Sequence, residues 1–377
     1  MKSQELNNPF VVYGYKGREY FCDRVAEKDK IIKGLDNERN ITLIAPRRIG
    51  KTGLIHHVFS YVREEHPDVC CIYFDILATK TLEQFVQLMA RNVLGRLDTP
   101  SQSVLKKVQE FFSAFRPTMT FDVVTGMPTF SLDIAKNQGQ QSLQRIFEYL
   151  AQSDKRCYIA IDEFQQITKY PETDTEALLR SFIQFVPNVY FIFAGSQQHM
   201  MSDMFLSPER PLYQGAQIVG IEEIDERVYY QFASGLFAKR GQQLPEEVFH
   251  YLYERVEGQT WYVQATLNRI YGNVRDEISM QAVDEAMQEL IDEEEVAFEN
   301  YYSSLTTNQA ALITAIACEG HVDSPMAQVF MAKYNLPALS SIKLALESLV
   351  ESQFVYKYHG SYIVYDRFFG MWLRRKV

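Results

Sequence analysis

The stretch Ala45-Pro46-Arg47-Arg48-Ile49-Gly50-Lys51-Thr52 has the spacing of a loop that cradles phosphates, G-x-x-x-x-G-K-[ST], with Ala in the first glycine's place. Backbone N–H groups converging at a helix start, together with the helix dipole, make an anion site there. In that chemistry Lys51 reaches the β- and γ-phosphates, the Thr52 hydroxyl ligates Mg²⁺, and Gly50 lets the backbone come close to the phosphates. Residues 45–50 line the loop, and the Ala45 Cβ restricts φ where glycine is usual. Such a loop calls for an acid at the tip of a second strand. The run Cys157-Tyr158-Ile159-Ala160-Ile161 followed by Asp162-Glu163 supplies one. Asp162 is the expected Mg²⁺ partner and Glu163 the group that polarises the attacking water, because phosphoryl transfer asks mainly for positioning and charge stabilisation.

Two further groups fall where a γ-phosphate is expected. Gly195-Ser196-Gln197 ends the next apolar run, so Ser196 or Gln197 can orient the water; Ser196 as the N-cap of the following helix is the alternative. Arg210, in a loop fixed by Pro208 and Pro211, is placed either to act on the γ-phosphate, from its own or a neighbouring subunit, or to form a structural ion pair. Upstream, Asp23 is the expected N-cap of a helix running to about Leu35, and Arg24 is set either to pack on adenine or to form a surface ion pair.

The elements that must hold these groups follow from hydrophobic periodicity. Apolar runs at 41–45, 69–74, 157–161 and 189–194, with a weaker one at 216–221, alternate with helical patterns at 51–63, 81–97, 141–152 and 175–185. Near-continuous apolar strands separated by helices predict an α/β core, a parallel sheet with helices on both faces. Thr118–Val124 and Pro128–Ile134 around Thr125-Gly126-Met127 read as an inserted hairpin, either a partner-binding arm or an edge decoration. From Asp225 strand signals give way to helices ending in the acidic run 292–295. The final part reads as helices Thr307–Cys318, Pro325–Tyr334 and Leu339–Ser352, then two aromatic runs meeting at His359-Gly360-Ser361, the pattern of a winged helix. The expected domains are a core over 1–220, a helical lid over 221–297 and a winged helix over 298–377.

Composition bounds the rest. The chain has 377 residues, 46% of them hydrophobic and 23% charged, which excludes a largely disordered or fibrous protein. Its net charge of −10 is uneven: residues 1–220 carry 25 basic and 25 acidic groups, 221–299 carry 6 and 18, and 300–377 carry 7 and 5. General coating of nucleic acid is therefore excluded, and only the last segment is net positive. Five cysteines without a CxxC pair argue against a disulfide framework and a zinc site. The absence of a signal peptide or a long apolar run points to a cytoplasmic protein without membrane contact.

The same residues resemble a family. Asn8-Pro9-Phe10, Tyr20-Phe21-Cys22-Asp23-Arg24, the loop 46–52, Ile161-Asp162-Glu163-Phe164, Phe193-Ala194-Gly195-Ser196, Arg210-Pro211-Leu212-Tyr213 and Tyr365-Asp366-Arg367-Phe368-Phe369 are similar to the archaeal-type P-loop ATPases of the AAA+ and STAND group. The resemblance implies ATP and ADP bound between sheet and lid, Mg²⁺, a winged helix behind the lid, and a nucleotide-dependent switch. One departure is Thr260 in Gly258-Gln259-Thr260, where relatives carry proline. Three functions follow: a slowly hydrolysing ATPase switch, a nucleotide-regulated DNA-binding regulator, or a nucleotide-binding scaffold without turnover. Protein partners at the winged helix or the 118–134 hairpin, and a homo-oligomer, stay open. DNA is disfavoured because Lys343, Glu347 and Glu351 share one helix face, two acids to one base, although Lys357, Arg367, Arg374, Arg375 and Lys376 stand on the other side of the balance.

Overall fold

The computed structural model describes residues 6–94, 96–97, 118–121, 128–131, 138–273 and 277–377. They divide into two compact units, one built on described residues of 13–225 and the other on those of 226–377 with 6–12 added. Apart from residues 221–225, the stretches expected as lid and winged helix thus fall in one unit.

The first unit is built on five parallel strands: β1 (Ile41–Ile44), β2 (Cys70–Asp75), β5 (Cys157–Asp162), β6 (Val189–Gly195) and β7 (Gln217–Gly220), in the order β2-β5-β6-β1-β7. β5 and β6 lie inside the sheet, and all six β5 residues are buried, which is why their sequence runs apolar without alternation. β2 is an edge strand, and Cys70, Tyr73 and Asp75 along it are less buried. Strands β3 (Thr118–Phe121) and β4 (Pro128–Ser131) pair antiparallel, as the hairpin reading anticipates. The rest of that hairpin, with its turn at 125–127, lies outside the described residues.

Helices cover both sheet faces. On one, α2 (Lys51–Glu65) buries Leu54, Ile55, Val58, Phe59 and Val62, the i, i+3, i+4 spacing of a core-facing stripe, against Leu43, Cys71, Ala160 and Ile192. On the other, the helices Leu82–Val93 and Gly139–Ala151 pack Phe85, Val86, Leu143 and Ile146 on Ile72, Ile159 and Phe191. The side chains of the two faces alternate along β2 and β5.

Helix α1 (Val25–Asp36) differs at its start from the sequence reading. Its N-cap is Arg24, not Asp23, and no side chain caps it. Asp23 and Arg24 both adopt left-handed φ, 54° and 66°, which turns the chain and directs the arginine inward. Buried and ion-paired with Glu27 at 2.8 Å, Arg24 donates to the Ile49 carbonyl at 3.2 Å. The surface ion pair considered for it is thus a buried one.

Among the described residues of the second unit, five helices between Glu226 and Ser304 precede the helices Thr307–Glu319, Gln328–Lys333 and Leu339–Glu351 and the hairpin β8 (Val355–Tyr358) and β9 (Ser361–Val364). Val322 meets Tyr362 in an isolated antiparallel bridge beside the wing. A last helix, Arg367–Arg375, starts on Asp366, whose carboxylate accepts from the Phe368 and Phe369 N–H groups. Gly258 has φ +65°, and a Cβ there would stand 2.5 Å from the Tyr253 ring, so the glycine before Thr260 is required by its surroundings. Among the described residues no helix is long and apolar enough to cross a membrane.

Candidate phosphate-binding site

The loop Ala45–Gly50 leaves the C-terminal end of β1 and enters α2 at Lys51. Gly50 caps the helix with φ 99°, and Arg48 also has positive φ, at 65°. Ala45 keeps an ordinary negative φ, so its Cβ is accommodated and the sequence-level restriction at this position costs the loop nothing. The Ile49 side chain is buried, and its carbonyl is held by Arg24. The outer part of the loop, Arg47 and Arg48, is exposed.

Lys51 is buried, and its ammonium donates to the carbonyls of Ala45 at 3.3 Å and Pro46 at 3.2 Å. Burial lowers its pKa, while the nearby Asp162 and Glu163 charges work the other way. A buried cation held by its own loop's carbonyls is chemically suited to take an anion at the same place.

Asp162 ends β5, beside β2 and across from α2. Its Oδ2 accepts from the Thr52 hydroxyl at 2.6 Å and from the Tyr73 hydroxyl at 3.1 Å, and its Oδ1 from the Glu163 N–H at 3.0 Å. Burial foremost, with the Asp162 charge behind it, pushes the Tyr73 hydroxyl's pKa far up, so this group stays a donor to the carboxylate. Glu163 has left-handed φ of 54°. Its Oε2 accepts from Ser196 Oγ at 2.8 Å and from Gln165 Nε2 at 2.5 Å, and Ser196 in turn accepts from Arg47 Nε at 3.2 Å. A relay of donors therefore joins the phosphate loop to Glu163 through the end of β6. Ser196 is not a helix cap: the helix Gln198–Leu206 has Gln197 in that position, without a side-chain cap bond.

Lys51, Thr52, Asp162, Glu163, Ser196 and Arg47 are thus brought together, with Arg24 bracing the loop from behind. Arg210 stands with Glu176 and with Asp203, the latter at 3.5 Å. The structural ion pair weighed for it in the sequence is what the geometry holds. Two contributors escape sequence reasoning. Tyr73 sits in an apolar strand and looks like core, and Gln165 lies in a short turn after the acids without a recognisable spacing. Gly195 gives a partial signal for Gln165: a Cβ there would lie 2.2 Å from Gln165 Oε1 and 2.5 Å from Met201 Sδ.

Three of the five cations that the sequence offers as a nucleic-acid grip are engaged within the protein. Arg367 is buried against Glu257 at 2.7 Å, Arg375 pairs with Asp292 at 3.5 Å, and Lys376 pairs with Glu299 at 2.8 Å while lying over Trp372. On the helix Leu339–Glu351, Lys343 and Glu347 are exposed and 4.0 Å apart.

Residues 21–265 match the model of an ATPase domain found predominantly in Archaea, and residues 296–375 that of a probable winged helix domain. Among solved structures, a Walker-type ATPase of Pyrococcus abyssi is similar over 97% of this chain and 99% of its own, with a TM-score of 0.65 and 19% identity. The Aeropyrum pernix ORC1 protein, solved in complex with DNA, is similar over 97% of this chain and 96% of its own, with a TM-score of 0.56 and 13% identity. The ORC2 protein of the same organism, in ADPNP–ADP complexes, covers 98% of both chains with a TM-score of 0.52 and 15% identity. At these identities the likeness is one of fold. No curated protein matches the chain.

Proposed function

Because this chain belongs to the family of ATPase domains found predominantly in Archaea, we propose that it binds ATP with Mg²⁺ at the Ala45–Thr52 loop and hydrolyses it slowly, as a nucleotide-dependent switch. The observation that carries this reading is the hydrogen-bonded assembly of Thr52, Asp162, Glu163 and Ser196 at the C-terminal ends of β1, β5 and β6, beside the buried Lys51 ammonium on the carbonyls of Ala45 and Pro46. Ligands bind at that end of open parallel sheets.

The residues fit the groups they would receive. The α2 N-terminus and the buried Lys51 ammonium favour the β- and γ-phosphates. Thr52 and Asp162, already 2.6 Å apart, supply hard oxygens of the kind Mg²⁺ takes. When bound, the ion neutralises charge across the β- and γ-phosphoryl oxygens. Glu163 orients the attacking water and accepts its proton, and Ser196 fixes the carboxylate while reporting on the γ-phosphate side through Arg47. Arg24 and Ile49 keep the loop in shape. Arg210 reaches a phosphate only after leaving Glu176, so its action on the γ-phosphate, in cis or in trans, requires that ion pair to open.

Nucleotide-regulated DNA binding through the winged helix is the second reading. ORC1 of Aeropyrum pernix supports it as a fold relative solved with DNA. The ion pairs of Arg367, Arg375 and Lys376 oppose it, because those charges are already met by acids of the preceding segment, Glu257, Asp292 and Glu299. Calorimetric titration of ATP with Mg²⁺ tests the leading reading. Wild type should bind, and Lys51→Ala should lose at least tenfold in affinity; equal affinity, or no binding by wild type, contradicts the site.

A further inference from the structure

At the end of the sheet away from the phosphate loop, β2 and β5 begin with two cysteines side by side. The strands run in register from Cys70 opposite Cys157 to Asp75 opposite Asp162. Residues so paired face the same side of the sheet, with the strands about 4.8 Å apart. That spacing lies inside the roughly 4.4–6.8 Å between Cα atoms that a disulfide bridges. Burial confirms the shared side: Cys70 and Cys157 pack with the Leu82–Val93 and Gly139–Ala151 helices, whereas Cys71 packs with α2 on the opposite face. Of the three cysteines in these two strands, the sheet therefore selects one pair.

The two thiols differ in access. Cys70 lies on the edge strand and is partly exposed, and Cys157 is fully buried. Once Cys70 is ionised, the neighbouring Cys157 thiol can donate a hydrogen bond to it. That bond, with Lys155, Arg96 and Arg63 behind it, lowers the Cys70 pKa to about 7 against the opposing effect of burial. The same bond, then burial, raises that of Cys157. Carbonyl oxygens of Arg96 at 3.7 Å from Cys70 Sγ and of Lys155 at 3.5 Å from Cys157 Sγ hold the protonated thiols in place. An accessible, easily ionised sulfur beside a buried second sulfur is the arrangement of an attacking and a resolving thiol.

We infer that Cys70 and Cys157 form a peroxide-sensitive disulfide, in which Cys70 attacks the oxidant and Cys157 resolves the product. The Cys70 thiolate attacks one oxygen of hydrogen peroxide and the O–O bond breaks. This leaves a sulfenic acid on Cys70 and a hydroxide that leaves as water with the proton Cys70 gave up. The Cys157 sulfur then attacks the sulfenic sulfur and the S–O bond breaks, its hydroxide taking the Cys157 thiol proton to leave as a second water. Two thiols and one peroxide become one disulfide and two waters, so the peroxide gains the two electrons the sulfurs lose.

The test treats the full-length native protein with hydrogen peroxide at neutral pH, alkylates the remaining thiols and maps the peptides by mass spectrometry. Accessible thiols under denaturing conditions should fall from five to three, with one cross-linked peptide pair joining Cys70 to Cys157, and dithiothreitol should restore all five. Cys71→Ser should give the same cross-link, and Cys157→Ser should leave Cys70 as a sulfenic acid trapped by dimedone. Five unchanged thiols, a sulfinic acid on Cys70 of the wild type, or a bond involving Cys71 would overturn the inference.

Discussion

Glu163 is held by two donors, Ser196 and Gln165, and the first makes a distinct prediction. Ser196→Ala leaves Glu163 with the Gln165 bond and cuts the relay from Arg47, so ATP turnover should fall several-fold with ATP affinity nearly unchanged, as steady-state phosphate release reads. Tyr73→Phe removes a half-buried donor to Asp162, a loss of about 1–2 kcal/mol when a charged acceptor loses a partner. Thermal melting should report a fall of a few degrees, smaller when Mg²⁺ and ATP are present if Asp162 gains a new partner there. The phosphate loop and both acids are legible in the sequence because their chemistry fixes residue type at fixed spacing. Tyr73 is not, because a tyrosine in an apolar strand carries no sign of which way its hydroxyl points. Arg24 is half legible: its side chain stands out as functional, but two consecutive left-handed residues that turn it onto Ile49 leave no compositional trace.

Segment 13–24 is fastened to α2 by aromatic contacts, Phe21 stacking on His57 at 4.4 Å and Tyr15 meeting His57 Nδ1 at 3.1 Å. Burial first, then Lys28 and Arg18, lowers the His57 pKa to about 4. The unfolded chain, with an ordinary value near 6.5, takes up a proton that the folded chain refuses, so the stability this residue lends is present above about pH 6.5 and lost as pH falls towards 4. After discounting for partial exposure the loss is about 2 kcal/mol. Melting temperature against pH checks it: His57→Phe, which keeps the stack, should flatten the profile between pH 6.5 and 4. Strand content is readable where it is buried on both sides, as in β5, since a short apolar run rich in Ile, Tyr and Cys, closed by turn residues and too short for a helix, fits a strand covered on both faces. The start of α1 escapes the same reasoning because Asp23 has the type of a cap but not its backbone geometry. Ser196 is ambiguous because a serine between strand and helix serves equally as a cap or as a donor into the site.

Charge distribution decides the reading of the whole chain. The acidic middle segment is met inside its own unit by Arg269, Arg375 and Lys376, through Glu293, Asp292 and Glu299. The net positive charge of residues 300–377 is therefore largely met within the protein, which a count by segment does not reveal. Fluorescence anisotropy with duplex DNA at roughly 150 mM salt should give affinity no tighter than the non-specific range of roughly 10⁻⁴–10⁻⁶ M, and adding ATP should not tighten it. The two-unit division likewise follows from these pairs and from Arg367 on Glu257, contacts between distant residues that periodicity cannot foresee. The central claim, hydrolysis of ATP with Glu163 activating water, is met most directly by phosphate release from ATP and Mg²⁺ by wild type and Glu163→Gln. Slow turnover by wild type, falling at least about a hundredfold in the variant while ATP binding persists, is the result expected. Equal rates in the two proteins would contradict it.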